Sequence, residues 1–155
     1  MRFHGSVSDL AIERYCRHID WFSTVALGYF VDGRLRGVAQ LSLERPLYPR
    51  GGELAVTVET SWQGRGVGTE LARRAVTVAR NRGLRRLAML CLVENRPMRR
   101  IAAKLEGALH IDGGTVEADL GLTGATPWTW LEELVHDGAG NLAAAADGLL
   151  APPPG

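Results

Sequence analysis

With 155 residues, 46% of them hydrophobic and 23% charged, the chain is long enough to bury a core without disulfide or metal staples and reads as one globular domain. A net charge of +1 removes any bulk electrostatic case for nucleic acid as a partner. No apolar run approaches the about 20 residues that cross a bilayer, and residues 1–10 lack a signal-peptide core, so a cytoplasmic protein with no membrane partner is expected.

In chain order, Ser6 or Ser8 is placed to cap a helix running to about Ile19, with Leu10, Ile12, Tyr15, Cys16 and Ile19 as its apolar stripe. Two strand-like runs, 24–31 and 35–43, flank Asp32-Gly33-Arg34, and an Asp-Gly pair between such runs predicts a hairpin because the turn needs positive φ. Residues 47–52, with Pro49 and a Gly pair, read as a loop. Residues 53–59 alternate, with Leu54, Val56 and Val58 on a core face and Glu53, Ala55, Thr57 and Glu59 on a face open to a cleft. A helix over 69–82 follows, burying Leu71, Ala75, Val78 and Ala79. The run 87–93, LAMLCLV, is apolar enough for a strand covered on both faces. Strand, helix and strand together predict a right-handed parallel crossover.

Pro97 suits the first turn of a helix to about Leu105. A second hairpin is expected over 108–111 and 115–122, then a terminal helix from Trp128 to His136 that extends through Ala-rich 141–150 to a disordered proline tail. The fold class is therefore α/β of the mixed α+β kind. Its domains are 1–126, a helical extension over 127–150, and the tail 151–155. Cys16 and Cys91 lack CxxC spacing and read as buried, reduced thiols. The four histidines show no ligand spacing, so no metal is assigned. Trp21, Trp62, Trp128 and Trp130 read as packing residues.

Between the strand at 53–59 and the next helix lies Gln63-Gly64-Arg65-Gly66-Val67-Gly68-Thr69. Glycine tolerates positive φ and lets a backbone approach a ligand, while the first N–H groups of a helix lack internal partners and attract anions, a diphosphate above all. The dinucleotide fingerprint GxGxxG fails because Thr69 stands where its last glycine would fall, which disfavours a nucleotide-binding oxidoreductase. The other phosphate loop fails for want of a following lysine. What fits is QxxGxG, as Gln63, Gly66 and Gly68. This resembles the acyl-CoA pyrophosphate loop of the GCN5-related N-acetyltransferase (GNAT) superfamily. Asn95, Met98 and Ala103-Lys104-Leu105-Glu106-Gly107 are similar to a further segment of that family. Arg2-Phe3-His4-Gly5, Val7, Leu10, Val38-Ala39, Glu53 and 95–100 are similar to the acetyltransferase domain of bacterial protein lysine acetyltransferases.

The resemblance implies a mostly antiparallel sheet with a central parallel crossover and helices on both faces. It implies acetyl-CoA as the acyl donor and an amine, a protein lysine or a small molecule, as acceptor. The amides over 64–69, with Gln63, Arg65, Val67 and Thr69, would hold the diphosphate. Val58 would pair with the pantetheine arm, and the Val56 N–H would polarise the acyl carbonyl. Asn95 would bond the pantetheine or cap the next helix. Arg99 or Arg100 would meet the 3′-phosphate, and Glu53 would be the general base, acting through water.

The sequence departs from the family in two ways. The family's first strand and helix have no counterpart before Met1, so a homodimer is expected, with the Trp128 and Trp130 region helping to cover the open sheet edge. The tyrosine acid that many members carry is replaced by Ala102. A non-catalytic acyl-CoA-binding module is the alternative reading.

Overall fold

The computed structural model describes residues 9–44, 50–112 and 114–150. The proposed caps Ser6 and Ser8, the resemblance at 2–5 and Val7, residues 47–49 of the expected 47–52 loop, Gly113 and the 151–155 tail lie outside them. The elements are α1 (Asp9–Arg17), β1 (Thr24–Val31), β2 (Arg34–Leu43), β3 (Gly51–Val58), a single 3₁₀ turn (Thr60–Trp62), α2 (Val67–Asn81), β4 (Arg86–Leu92), α3 (Arg96–Lys104), β5 (Ala108–Asp112), β6 (Thr115–Gly121) and α4 (Pro127–Leu150).

One six-stranded sheet, in the order β1-β2-β3-β4-β6-β5, organises the chain. All neighbours are antiparallel except β3 and β4, the ends of the βαβ unit that the apolar pattern predicts. The first hairpin turns on Asp32 (φ 51°) and Gly33 (φ 67°), the pair of left-handed residues that matches strand twist. β3 starts two residues before its expected place. A Cβ on Gly52 would come within 2.8 Å of the Ser42 carbonyl oxygen and 2.9 Å of Leu84 Cδ2, so the Gly pair serves close packing rather than a loop.

Ala39, Leu41, Leu54, Leu87 and Met89 line the sheet face under α2 and α3. There they meet Leu71, Ala72, Ala75 and Ala79 of α2 and Met98 and Ala102 of α3. The opposite face carries α1 alone among the described helices. Tyr15 Oη donates to Gln40 Oε1 at 2.8 Å, and Gln40 alternates with the buried Ala39 and Leu41. Three expectations are corrected here. Leu90 of β4 is 50% exposed, so that strand is covered on one face only. Leu10 and Cys16 of α1 are exposed, so neither belongs to the core. Trp21, Trp128 and Trp130 are also exposed, because nothing in the described chain packs over them.

α4 stands against α2 beside the outer edge of β1. A cavity of about 370 Å³ separates them, lined by Ala26, Leu27, Gly28, Arg74, Glu133 and His136 among others. Trp128 and Trp130 are exposed and do not line this cavity.

Candidate active site

Beyond Glu53 the two central strands separate. β3 and β4 pair only at Gly51 with Arg86, Gly52 with Leu87 and Glu53 with Ala88, although β3 runs on to Val58 and β4 to Leu92. Alternation fixes where the freed main-chain groups point. Glu59 N–H donates to Arg36 O at 2.8 Å, and Gly51 O accepts from Glu44 N–H at 3.1 Å, both on the β2 side. Odd-numbered residues of β3 therefore face β2, and the N–H and C=O of Val56 and Val58 face the gap.

The segment after β3 is tied down by side chains. Gln63 Nε2 donates to Val58 O at 3.0 Å, and Ser61 Oγ donates to a Glu59 carboxylate oxygen at 2.9 Å. Arg36 Nη1 donates to the other Glu59 oxygen at 2.8 Å. The Arg36 hydrogen bond first, then that from Ser61, holds the Glu59 carboxyl below its ordinary value of 4.5. The guanidiniums of Arg36 and Arg65 lie 5.6 and 4.8 Å from the Trp62 ring centre. Gly64 (φ 74°) and Gly66 (φ 88°) take the left-handed conformation, and Gly66 caps α2. The N–H groups of Val67, Gly68 and Thr69 in the first turn have no intrahelical acceptor.

Gly68 has a different duty. A Cβ there would stand 3.1 Å from Ile101 Cδ1, 3.5 Å from Val58 Cγ2 and 3.8 Å from Val56 Cγ1, so its absence keeps space between β3, α2 and α3. On the far wall, Asn95 Oδ1 accepts from Met98 N–H at 3.2 Å and caps α3 behind Pro97, which settles its capping role.

These walls enclose an open cavity of about 590 Å³, within the usual range for small-molecule sites. Val56, Val58, Gln63, Gly64, Gly66, Gly68, Thr69 and Asn95, all expected from sequence, line it. Thr57, Pro97, Met98, Arg100, Ile101 and Lys104 line it as well. The α3 members recur at the helical period, a signal readable from Pro97 onward. Arg100 and Lys104 place cationic side chains on the wall opposite the helix end.

Four expected residues lie outside this lining. Arg65 lies over Trp62, and the Val67 side chain is buried in the core. Arg99 Nη1 donates to Val93 O at 3.1 Å, while Arg100, the other residue named for the 3′-phosphate, lies on the cavity wall. Glu53 is exposed on the opposite sheet face, in register between Ser42 and Ala88 at the last paired position before the gap. Ala102, at the position of the family tyrosine, is buried. Among the described residues no group of His, Cys, Asp and Glu is arranged to hold a metal ion, and no helix is long and apolar enough to cross a membrane.

Splayed parallel strands beside a glycine-rich helix start define a class, the acyltransferases built on this mixed sheet. The model of the acetyltransferase (GNAT) family matches residues 3–107, and the chain belongs to that family, whose activity is acetyl transfer. Among solved structures, the GNAT domain of S. lividans PAT is similar at 24% identity, with a TM-score of 0.63 over 75% of this chain and 70% of that one. A GNAT-family acetyltransferase from Streptococcus pneumoniae is 16% identical, with a TM-score of 0.61 over 76% and 78%. The yncA protein of Salmonella typhimurium, solved with its cofactor acetyl-CoA, is 18% identical, with a TM-score of 0.61 over 77% of each chain. No curated protein matches the chain.

Proposed function

We propose that the chain is an N-acetyltransferase that moves the acetyl group of acetyl-CoA to an amine, a protein lysine or a small molecule, by direct attack on the thioester. The observation that carries this reading is the parting of β3 and β4 after Glu53, which turns the main chain of Val56 and Val58 toward a cavity closed by the start of α2. The unpaired amides of the first helical turn hold the diphosphate, with Arg100 and Lys104 as the cations nearest to receive its further phosphate. Val58 O is engaged by Gln63, so its N–H is the group left for the pantetheine arm.

The acceptor approaches from the Glu53 face. An amine arrives protonated, since a lysine has an ordinary pKa near 10.4. Three residues at about 3.3 Å each put Glu53 roughly 10 Å along the strand from Val56, so the proton passes through water. The neutral nitrogen then forms its bond to the carbonyl carbon while the Val56 N–H donates to the carbonyl oxygen. A fixed donor of that kind is commonly worth about 3 to 4 kcal/mol. Collapse breaks the carbon–sulfur bond, and the proton that the new amide nitrogen sheds passes through water to the departing CoA thiolate, Ala102 having none to give.

Glu53→Gln tests the assignment. Turnover at neutral pH should fall about 100-fold or more, with acetyl-CoA affinity by calorimetry unchanged. Unaltered turnover removes Glu53 from the mechanism, and absence of any heat with acetyl-CoA removes the whole reading. The buried Ala102 favours one alternative, a module that binds acyl-CoA without catalysis. Saturable binding with no CoA release on any amine of a broad panel would select it.

A further inference from the structure

α4 is amphipathic in the reverse sense. It begins at Pro127 behind Thr126, whose N–H and Oγ1 exchange hydrogen bonds with Thr129 at 3.0 and 3.2 Å. The side turned to the domain is polar. The buried Thr129 Oγ1 donates to Asn81 Oδ1 at 2.6 Å, and Asn81 Nδ2 donates to Thr129 O at 2.9 Å and to Glu133 at 2.6 Å. Arg82 pairs with Glu133 at 3.2 Å, and Thr77 donates to Glu132 at 3.4 Å. The side turned outward holds Trp128, Trp130, Leu131, Leu134 and Val135, each between 48% and 73% exposed. A surface helix ordinarily buries its apolar stripe against its own domain, and this one presents that stripe to the exterior.

We propose that this face is the contact between two copies of the chain, packed α4 on α4 about a two-fold axis. Three observations support a second copy as the occupant. The first is spacing: Trp128, Leu131, Val135 and Gly138 recur in alternating steps of three and four along the helix. That is the heptad seam by which one helix packs on another. The second is charge. The outward residues are uncharged, and Glu132 and Glu133 are engaged inward, so self-pairing sets no like charges face to face. α4 contains no Lys or Arg, which disfavours an anionic membrane surface.

The third is area. The exposed parts of these side chains amount to on the order of 600 Å², the upper end of what a monomer leaves in one patch. Two such patches remove about 1,200 Å², the lower limit for a specific interface.

Sedimentation of the full chain over a concentration range from micromolar to millimolar tests the proposal independently of acetyl-CoA. The wild type should be a dimer. The double variant Leu131→Glu, Val135→Glu should be a monomer with unchanged helical circular dichroism and unchanged acetyl-CoA affinity, since the cavity lies elsewhere. A monomeric wild type, or a double variant that still dimerises, overturns it. Should the double variant lose helical signal, Leu131→Gln decides. A dimer dissociation constant raised about 10-fold or more carries the proposal, and an unchanged one overturns it.

Discussion

The two faces of the central sheet are built to different standards. Under α2 and α3, Leu41, Leu54, Leu87 and Met89 are fully enclosed, and Val56 and Val58 of the parting strand pack partly against the same core. On the other face Glu53, Ala55, Thr57 and Leu90 are exposed, and α1 reaches the sheet through the Tyr15 to Gln40 hydrogen bond. Rigidity is thus spent where main-chain donors must hold a fixed position, because a site a fraction of an ångström loose loses its electrostatic advantage. The face that carries Glu53 is left open, so what approaches it is governed less by this packed scaffold.

Two leucines in one strand provide the most severe trial of that contrast. Leu87 and Leu90 of β4 point to opposite faces, at 0% and 50% exposure. Leu87→Ala should cost about 2 to 5 kcal/mol, transfer and cavity together, whereas Leu90→Ala should cost about 1 kcal/mol or less. Urea unfolding of both variants measures the difference. Equal losses would mean that something covers the Leu90 face in solution, and the asymmetry would fail.

A smaller effect is expected at the glycine that keeps the cavity clear. Valine at position 68 would press on Ile101, Val56 and Val58 where even a lone Cβ stands at 3.1 Å from the first of them. Overpacking of this kind costs about 1 to 3 kcal/mol, and acetyl-CoA affinity should fall by about 10-fold to 100-fold with it. Gly121, exposed in β6 with open space around its missing Cβ, supplies the contrast, since Gly121→Ala should alter neither quantity by more than about 0.5 kcal/mol. Calorimetry reads the first effect and urea unfolding the second. Unimpaired binding by Gly68→Val would move the ligand out of this cavity.

The same contrast explains which parts of the molecule are readable from residues alone. The turn at 63–69 is legible because a left-handed φ at Gly64 and Gly66 and a crowded helix start at Gly68 leave few alternatives to glycine. The βαβ unit is legible from periodicity. The coverage of β4 is not, since LAMLCLV reads the same whether one face or both are buried. Arg99 and Arg100 differ by one step of about 100° around α3, and a helix start known only to a residue or two cannot separate them. The inner face of α4 was hidden because its anchors, Asn81 and Thr129, are polar and far apart in sequence, so Trp128 and Trp130 look like core residues until their direction is known.

The least effect should come from the ion pair at the end of β3 on the open face, and its sign is fixed by linkage. Arg36 and Ser61 hold the Glu59 carboxyl below its ordinary 4.5, so the folded state binds that proton less readily than the unfolded chain does. The resulting stabilisation is therefore fully present above the unfolded value and is lost as pH falls through the lower folded value. Glu59→Gln should be slightly less stable than the wild type at neutral pH. The gap should close in acid once the wild-type carboxyl is protonated, and it should narrow at neutral pH when salt is added, because the pair is open to solvent. A gap that persists in acid would show that Glu59 acts through the shape of the turn and its hydrogen bond from Ser61 rather than through charge.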